Sequence, residues 1–147
     1  MKSWLIDTNI LSELRRARPE PKVAAFVAAQ PLESLFVSVV TFAEIRFGIE
    51  RIADAARRAE LNDWLAQTLR PMFAQRTLPA SEDVMLKWRL LVEAGRQGRH
   101  TYSQPDFIIA ATALHYGLTV VTRDAGEFER AGAAVFNPWR EDDAAPT

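Results

Sequence analysis

Five short apolar runs punctuate the chain: Trp4-Leu5-Ile6, Leu35-Phe36-Val37-Ser38-Val39-Val40, Thr77-Leu78-Pro79, Leu118-Thr119-Val120-Val121-Thr122 and Ala134-Val135-Phe136. Their β-branched and aromatic content marks them as buried strands. The segments between them carry helical spacing instead. Residues 8–16 repeat Ile10, Leu11 and Leu14; a helix from Thr41 puts Phe42, Ile45, Ile49 and Ile52 on one side; residues 55–72 space Leu61, Trp64, Leu65 and Leu69 by three and four. Shorter helices are expected over 23–29 and 125–130. Ser81 caps a helix running to residue 92, with Val84, Met85, Trp88, Leu91 and Val92 inward. Pro105 suits the first position of a helix over 106–116 that Gly117 ends. Strands that alternate with helices point to a parallel sheet, because parallel strands need crossover helices and are covered on both faces. The expected fold is therefore α/β, a three-layer α/β/α sandwich with a central, mainly parallel sheet of about five strands.

A chain of 147 residues with 48% hydrophobic content suits one compact domain. The acidic, Ala- and Pro-containing stretch over 140–147 reads as a disordered tail. The apolar start meets Asp7 too early for a signal-peptide core, and no run approaches the ~20 residues of a membrane span, so a cytoplasmic location with no membrane contact is expected. There is no cysteine and only His100 and His115, so a catalytic metal must be held mostly by oxygen. The net charge of −1 excludes a general positive field for gripping nucleic acid, although 15 of the 18 basic residues are arginine. Arginine is suited to phosphate, and Arg15, Arg16, Arg99 and Arg123 fall in loop positions open to an RNA backbone.

Four carboxylates stand where such a sheet places ligands, at the carboxyl ends of its strands. Asp7 follows the first strand, Glu44 lies one turn into the helix after the second, and Asp124 follows the fourth. Asp106 starts the helix that feeds that fourth strand. Each also has a local reading: Asp7 as a helix cap, Thr41-Phe42-Ala43-Glu44 and Asp124-Ala125-Gly126-Glu127 as capping boxes, Asp106 as a first-turn acid favoured by the helix dipole. Taken jointly they repel unless a cation intervenes, and the three lysines, Lys2, Lys22 and Lys87, are remote in sequence. Oxygen-only ligands favour Mg²⁺ or Mn²⁺. Thr8, Asn9 and Thr122 are placed to orient the carboxylates.

Leu5-Ile6-Asp7-Thr8-Asn9, Thr41-Phe42-Ala43-Glu44-Ile45, Asp106-Phe107-Ile108-Ile109-Ala110-Ala111-Thr112-Ala113 and Val121-Thr122-Arg123-Asp124 together resemble the PIN domain of VapC-type toxins. The blocks occur in family order and span nearly the whole chain. The ending Val135-Phe136-Asn137-Pro138-Trp139 is similar to toxin subunits of fast-intracellular-trafficking pairs. The resemblance implies a nuclease domain over residues 1–139 that acts as a metal-dependent endoribonuclease and toxin. Asp7, Glu44, Asp106 and Asp124 are the implied catalytic and Mg²⁺- or Mn²⁺-binding residues, supported by Thr8, Asn9 and Thr122. It further implies a homodimer, an RNA substrate, and a cognate antitoxin through which alone operator DNA is contacted. Metal-assisted hydrolysis of this kind leaves a 3′-hydroxyl and a 5′-phosphate. Glu127 reads either as a further acidic ligand or as part of a cap at Asp124.

Other readings compete. A phosphate-accepting receiver domain needs a lysine after a late strand, where Arg123 stands, and a haloacid-dehalogenase-like phosphatase needs a carboxylate two residues after Asp7, where Asn9 stands. A PIN-fold subunit with weak nuclease activity, working mainly in an antitoxin–operator complex, is the stronger rival. His100 and His115 are weak candidates for a general base.

Overall fold

The computed structural model describes residues 2–98 and 104–140. Strands β1 (Trp4–Ile6), β2 (Leu35–Ser38), β3 (Thr77–Leu78), β4 (Thr119–Val121) and β5 (Val135–Phe136) form one sheet in the order β3-β2-β1-β4-β5, and every pairing is parallel. The chain therefore builds outward from β1 in one direction, then returns to its other side. A crevice opens at the carboxyl ends of β1 and β4, where the strand order reverses.

Strand alternation distributes side chains to two cores. Trp4, Ile6, Leu35, Val37, Val121 and Phe136 face one side; they meet α1 (Thr8–Leu14), α2 (Pro21–Ala29), α3 (Val39–Glu50) and α4 (Ala55–Trp64) through Leu11, Phe26, Phe42, Ile49 and Leu61. Leu5, Val120 and Val135 face the other, under α6 (Glu82–Gln97), α7 (Gln104–Tyr116) and α8 (Ala125–Arg130). Both faces are covered, giving the expected three layers. Trp4 is held edge-on by Phe26 at 5.0 Å, and its indole N–H donates to Gln30 Oε1 at 3.1 Å. That aromatic contact pins the first strand to α2.

Several boundaries depart from the sequence expectation. β2 ends at Ser38 rather than Val40, because Ser38 caps α3, its Oγ accepting the Val40 N–H at 3.0 Å. A local cap here outweighs the strand preference of Val39 and Val40. The helix over residues 55–72 is interrupted by a π-helical turn, Leu65–Leu69, before α5 (Arg70–Met72). Pro71 has no N–H to offer the preceding turn and crowds its carbonyl, so the widened turn relieves both problems. The helix capped by Ser81 continues through Gln97, past Gly95, and leaves Leu86 and Leu90 exposed. α7 starts at Gln104, two residues early, which places Pro105 inside a first turn that needs no N–H. The expected tail lies, apart from Arg140, outside the described residues, as do Arg99 and His100. Among the described residues no helix is long and apolar enough to cross a membrane.

Gly117 ends α7 with φ +69°, and the Leu118 N–H reaches back to the Ala113 carbonyl at 2.9 Å, closing a Schellman turn that aims the chain into β4. Nothing stands within 4 Å of where a Cβ would lie at Gly117 or at the helical Gly48. Gly117→Ala should therefore cost about 1–2 kcal/mol for left-handed backbone alone, while Gly48→Ala should add about 0.5–1 kcal/mol through helix propensity. Urea unfolding of the two variants checks the opposite signs; shifts in the same direction would refute this reading of the turn.

Candidate active site

Asp7 occupies the first position beyond β1. Its backbone N–H extends the ladder to the Val121 carbonyl at 3.0 Å, and its own residue caps α1. Asp7 is only 4% exposed. Oδ1 accepts the Thr8 N–H at 2.8 Å, and Oδ2 accepts the Thr122 hydroxyl at 2.8 Å. Asp7 is thus both a helix cap and a buried group facing the crevice; the local and joint readings describe the same side chain.

Thr122 and Asn9 tie the strand ends together. The Thr122 hydroxyl has one proton, given to Asp7, and accepts the Asp124 N–H at 3.0 Å. The Asn9 amide nitrogen lies 3.4 Å from Asp7 Oδ2, 3.3 Å from Thr122 Oγ1 and 3.3 Å from Asp124 Oδ2. Its two hydrogens serve these three acceptors in turn. Asn9 Oδ1 accepts the Arg123 N–H at 3.2 Å. A single amide therefore spans two carboxylates that would otherwise repel, and also holds the backbone beside them.

Asp7, Glu44, Asp106 and Asp124 all line one open cleft of about 420 Å³, with Thr8, Asn9, Ser12, Pro105, Ile109 and Arg123 completing its wall. Asp106 is half-buried in the first turn of α7, whereas Glu44 and Asp124 are exposed to the cleft. The capping-box reading of Thr41 and Glu44 fails, since Ser38 is the cap and the Thr41 hydroxyl is buried without a hydrogen-bond partner. Asp124 precedes α8 but its side chain makes no cap bond. Both acids are thereby left to the cleft. Ser12, one helical turn beyond Thr8, was detectable from the i, i+4 spacing and was missed. His115 sits at the far end of α7 from Asp106, packed against Tyr116 at 4.8 Å, so it does not serve this cleft.

Burial pushes the Asp7 carboxyl up to about 6; hydrogen bonds from Thr122 and Thr8 oppose the rise, and the charges of Asp106 and Asp124 add to it. The donor chemistry fits a hard divalent cation: every cleft group able to bind one is an oxygen, and a cation is what would relieve Asp7. Among the described residues no three acidic or histidine side chains close around a single point. Mg²⁺ is compatible with such an open set, because it retains several waters and needs few direct protein ligands.

A second cavity, about 290 Å³, adjoins the cleft and shares Thr8, Ser12 and Glu44 with it. Its floor is apolar, formed by Ile45, Ile49, Ile52, Leu61 and Trp64, and Arg15, Arg16 and Arg57 stand on its wall. The Arg15 guanidinium lies 5.3 Å over the Trp64 ring.

Comparison with known proteins supplies an independent line. The family model described as "PIN domain" matches residues 4–134. The chain is 36% identical over 137 residues to Toxin FitB of Neisseria gonorrhoeae, covering 93% of this chain and 99% of that protein. It is also 36% identical over 135 residues to VapC ribonuclease Y4jK of Sinorhizobium fredii, covering 92% and 96%. The solved structure of FitAB bound to an IR36 DNA fragment superposes with a TM-score of 0.89 at 34% identity, covering 97% of this chain and 99% of that one.

The Asp7 environment sets a pH dependence for the metal-free protein. Asp7 titrates near 6 when folded and near 3.8 when unfolded, so between these values the native state holds a proton that the unfolded state releases. Stability contributed by this group therefore falls as pH rises from about 4 to 6, by up to roughly 3 kcal/mol. In EDTA at pH 7.5, Asp7→Asn should be more stable than the parent by about 1–3 kcal/mol, with the gain vanishing near pH 4. Denaturant melts at both pH values decide; a variant less stable at pH 7.5 would contradict the burial argument.

Proposed function

The chain belongs to the PIN domain family, and on that premise we propose that it is the endoribonuclease subunit of a toxin–antitoxin pair, hydrolysing RNA phosphodiester bonds with a divalent cation. The observation that carries the proposal is the convergence of Asp7, Glu44, Asp106 and Asp124, from four separate segments, on one cleft, in a chain 36% identical to a VapC ribonuclease. The nuclease domain is residues 1–139, and its work is cytoplasmic. FitAB, the solved pair, holds DNA. For this chain the corresponding assembly is a homodimer with a cognate antitoxin, and operator DNA is touched only through that antitoxin.

Mg²⁺ or Mn²⁺ would be held in the cleft that Asp7, Glu44, Asp106 and Asp124 line, and would supply Lewis acidity toward the phosphate and lower the pKa of water. The protein's own groups do the rest. Thr8 and Thr122 hold the two oxygens of Asp7 in one orientation, so its remaining lone pairs face the cleft. Asn9 keeps Asp124 alongside. Water adds to phosphorus, a cleft carboxylate takes its proton, and the P–O3′ bond breaks as O3′ takes up a proton from solvent or the protonated carboxyl, leaving a 3′-hydroxyl and a 5′-phosphate. A scaffold with weak activity has no use for a buried acid that lowers its own stability, which argues against the rival reading.

Partner-free protein should cleave single-stranded RNA in Mg²⁺ or Mn²⁺ and stop in EDTA. Asp7→Asn and Asp124→Asn should each lower kcat/KM by about 100-fold or more, and Thr122→Val, which loses only the orienting hydroxyl, by about 10–100-fold. Full cleavage by Asp7→Asn, or cleavage indifferent to EDTA, would overturn the proposal.

A further inference from the structure

Arg123 is the basic residue on a cleft wall that carries four acids. Among the described residues it forms no direct ion pair, despite standing next to Asp124, although its charge is close enough to Glu13 to help lower that carboxyl's pKa. Its guanidinium lies instead 4.9 Å over the Trp139 ring. A guanidinium stacked on an indole is held by one face while its N–H edge stays open to a ligand. An Arg–carboxylate pair would have used that edge.

The platform is built to stay in place. Trp139 packs against the core on the α1–α4 face, and its N–H donates to Asn137 Oδ1 at 2.9 Å. The Asn137 amide in turn donates to the Arg123 carbonyl at 3.4 Å, while the Arg123 N–H is bound by Asn9 Oδ1 at 3.2 Å. The arginine backbone is thus clamped from both sides, once by the residue that seats its stacking partner and once by the amide that spans Asp7 and Asp124. Cation and carboxylates belong to a single hydrogen-bonded frame.

We propose that Arg123, seated on Trp139, is a phosphate clamp for the RNA strand at the rim of the cleft. The inference rests on the ribonuclease reading and adds a substrate contact to it. Its physical basis is that a polyanion approaching four carboxylates is repelled, and a fixed planar fork at the rim offers the strand a bidentate anchor on a phosphate beside the one that is cut. The contact belongs to substrate binding; Arg123 is a positioning residue rather than a catalytic one.

The test measures binding and turnover separately. A fluorescein-labelled single-stranded oligoribonucleotide is titrated with full-length, partner-free Asp7→Asn protein, with and without Arg123→Gln, across a salt series. KM and kcat are measured for the same change in the parent. Arg123→Gln should weaken binding about tenfold, lower the slope of log K against log salt by about 0.7, and raise KM with kcat nearly unchanged. Arg123→Lys keeps the charge and should restore the salt slope but only part of the affinity, since it lacks the fork. Unchanged binding and salt slope in Arg123→Gln, or a fall in kcat alone, would overturn the clamp. If the parent cleaves RNA and Arg123→Gln matches it, the clamp fails and the ribonuclease reading stands; if the parent cleaves nothing but Arg123→Gln still loses RNA, the reverse holds.

Discussion

A carboxylate buried at the end of the central strand, with two others close enough to raise its pKa, is the constraint on which this molecule turns. Asp7 sits there because β1 is the first strand and the middle of the sheet, so the residue that follows it emerges at the reversal of strand order. Two hydrogen bonds favour its charge, yet burial outweighs them. A group left in that condition is a standing cost to folding at neutral pH. The cost becomes intelligible once a cation occupies the cleft.

The rest of the site is arranged around that one acid. Thr122 directly follows β4 and Asn9 lies in the first turn of α1, so the two elements that flank the crevice are joined by the same side-chain bonds that orient Asp7. Asp124 and Arg123 are placed through backbone bonds to these two residues, not through ion pairs of their own. Charge is thereby positioned by neutral groups, and the charged ends remain available to a ligand. The adjoining apolar cavity shares a wall with the cleft, so whatever fills one is felt at Glu44 and Ser12 in the other.

Much of this was legible in the sequence because its strongest signals are periodic. The apolar runs mark the five strands, and their parallel pairing follows from the helices between them, while the face each strand residue takes and the strand order are seen only in the fold. What escaped was decided by single side chains or by tertiary packing. Val39 and Val40 look like strand but belong to a helix that Ser38 caps. The π turn before Pro71 and the run of α6 past Gly95 leave no distinct mark in the hydrophobic pattern. At the site, the four carboxylates could be named from position relative to the strand ends, but capping and cleft-lining roles could not be separated. Only the geometry shows Ser38 relieving Glu44 of the first, and Asp7 holding both. The stacking of Arg123 on Trp139 joins residues sixteen apart across β5, a contact that no spacing rule reports.

The most direct measurement is calorimetric titration of Mn²⁺ into partner-free protein at pH 6, in two buffers of different ionisation enthalpy, for the parent and for Asp7→Asn. The account predicts that the parent binds Mn²⁺ and releases protons on doing so, because the cation favours the ionised form of Asp7, and that Asp7→Asn binds more weakly with that release lost. Equal Mn²⁺ affinity in the two proteins, with the same proton release, would contradict it.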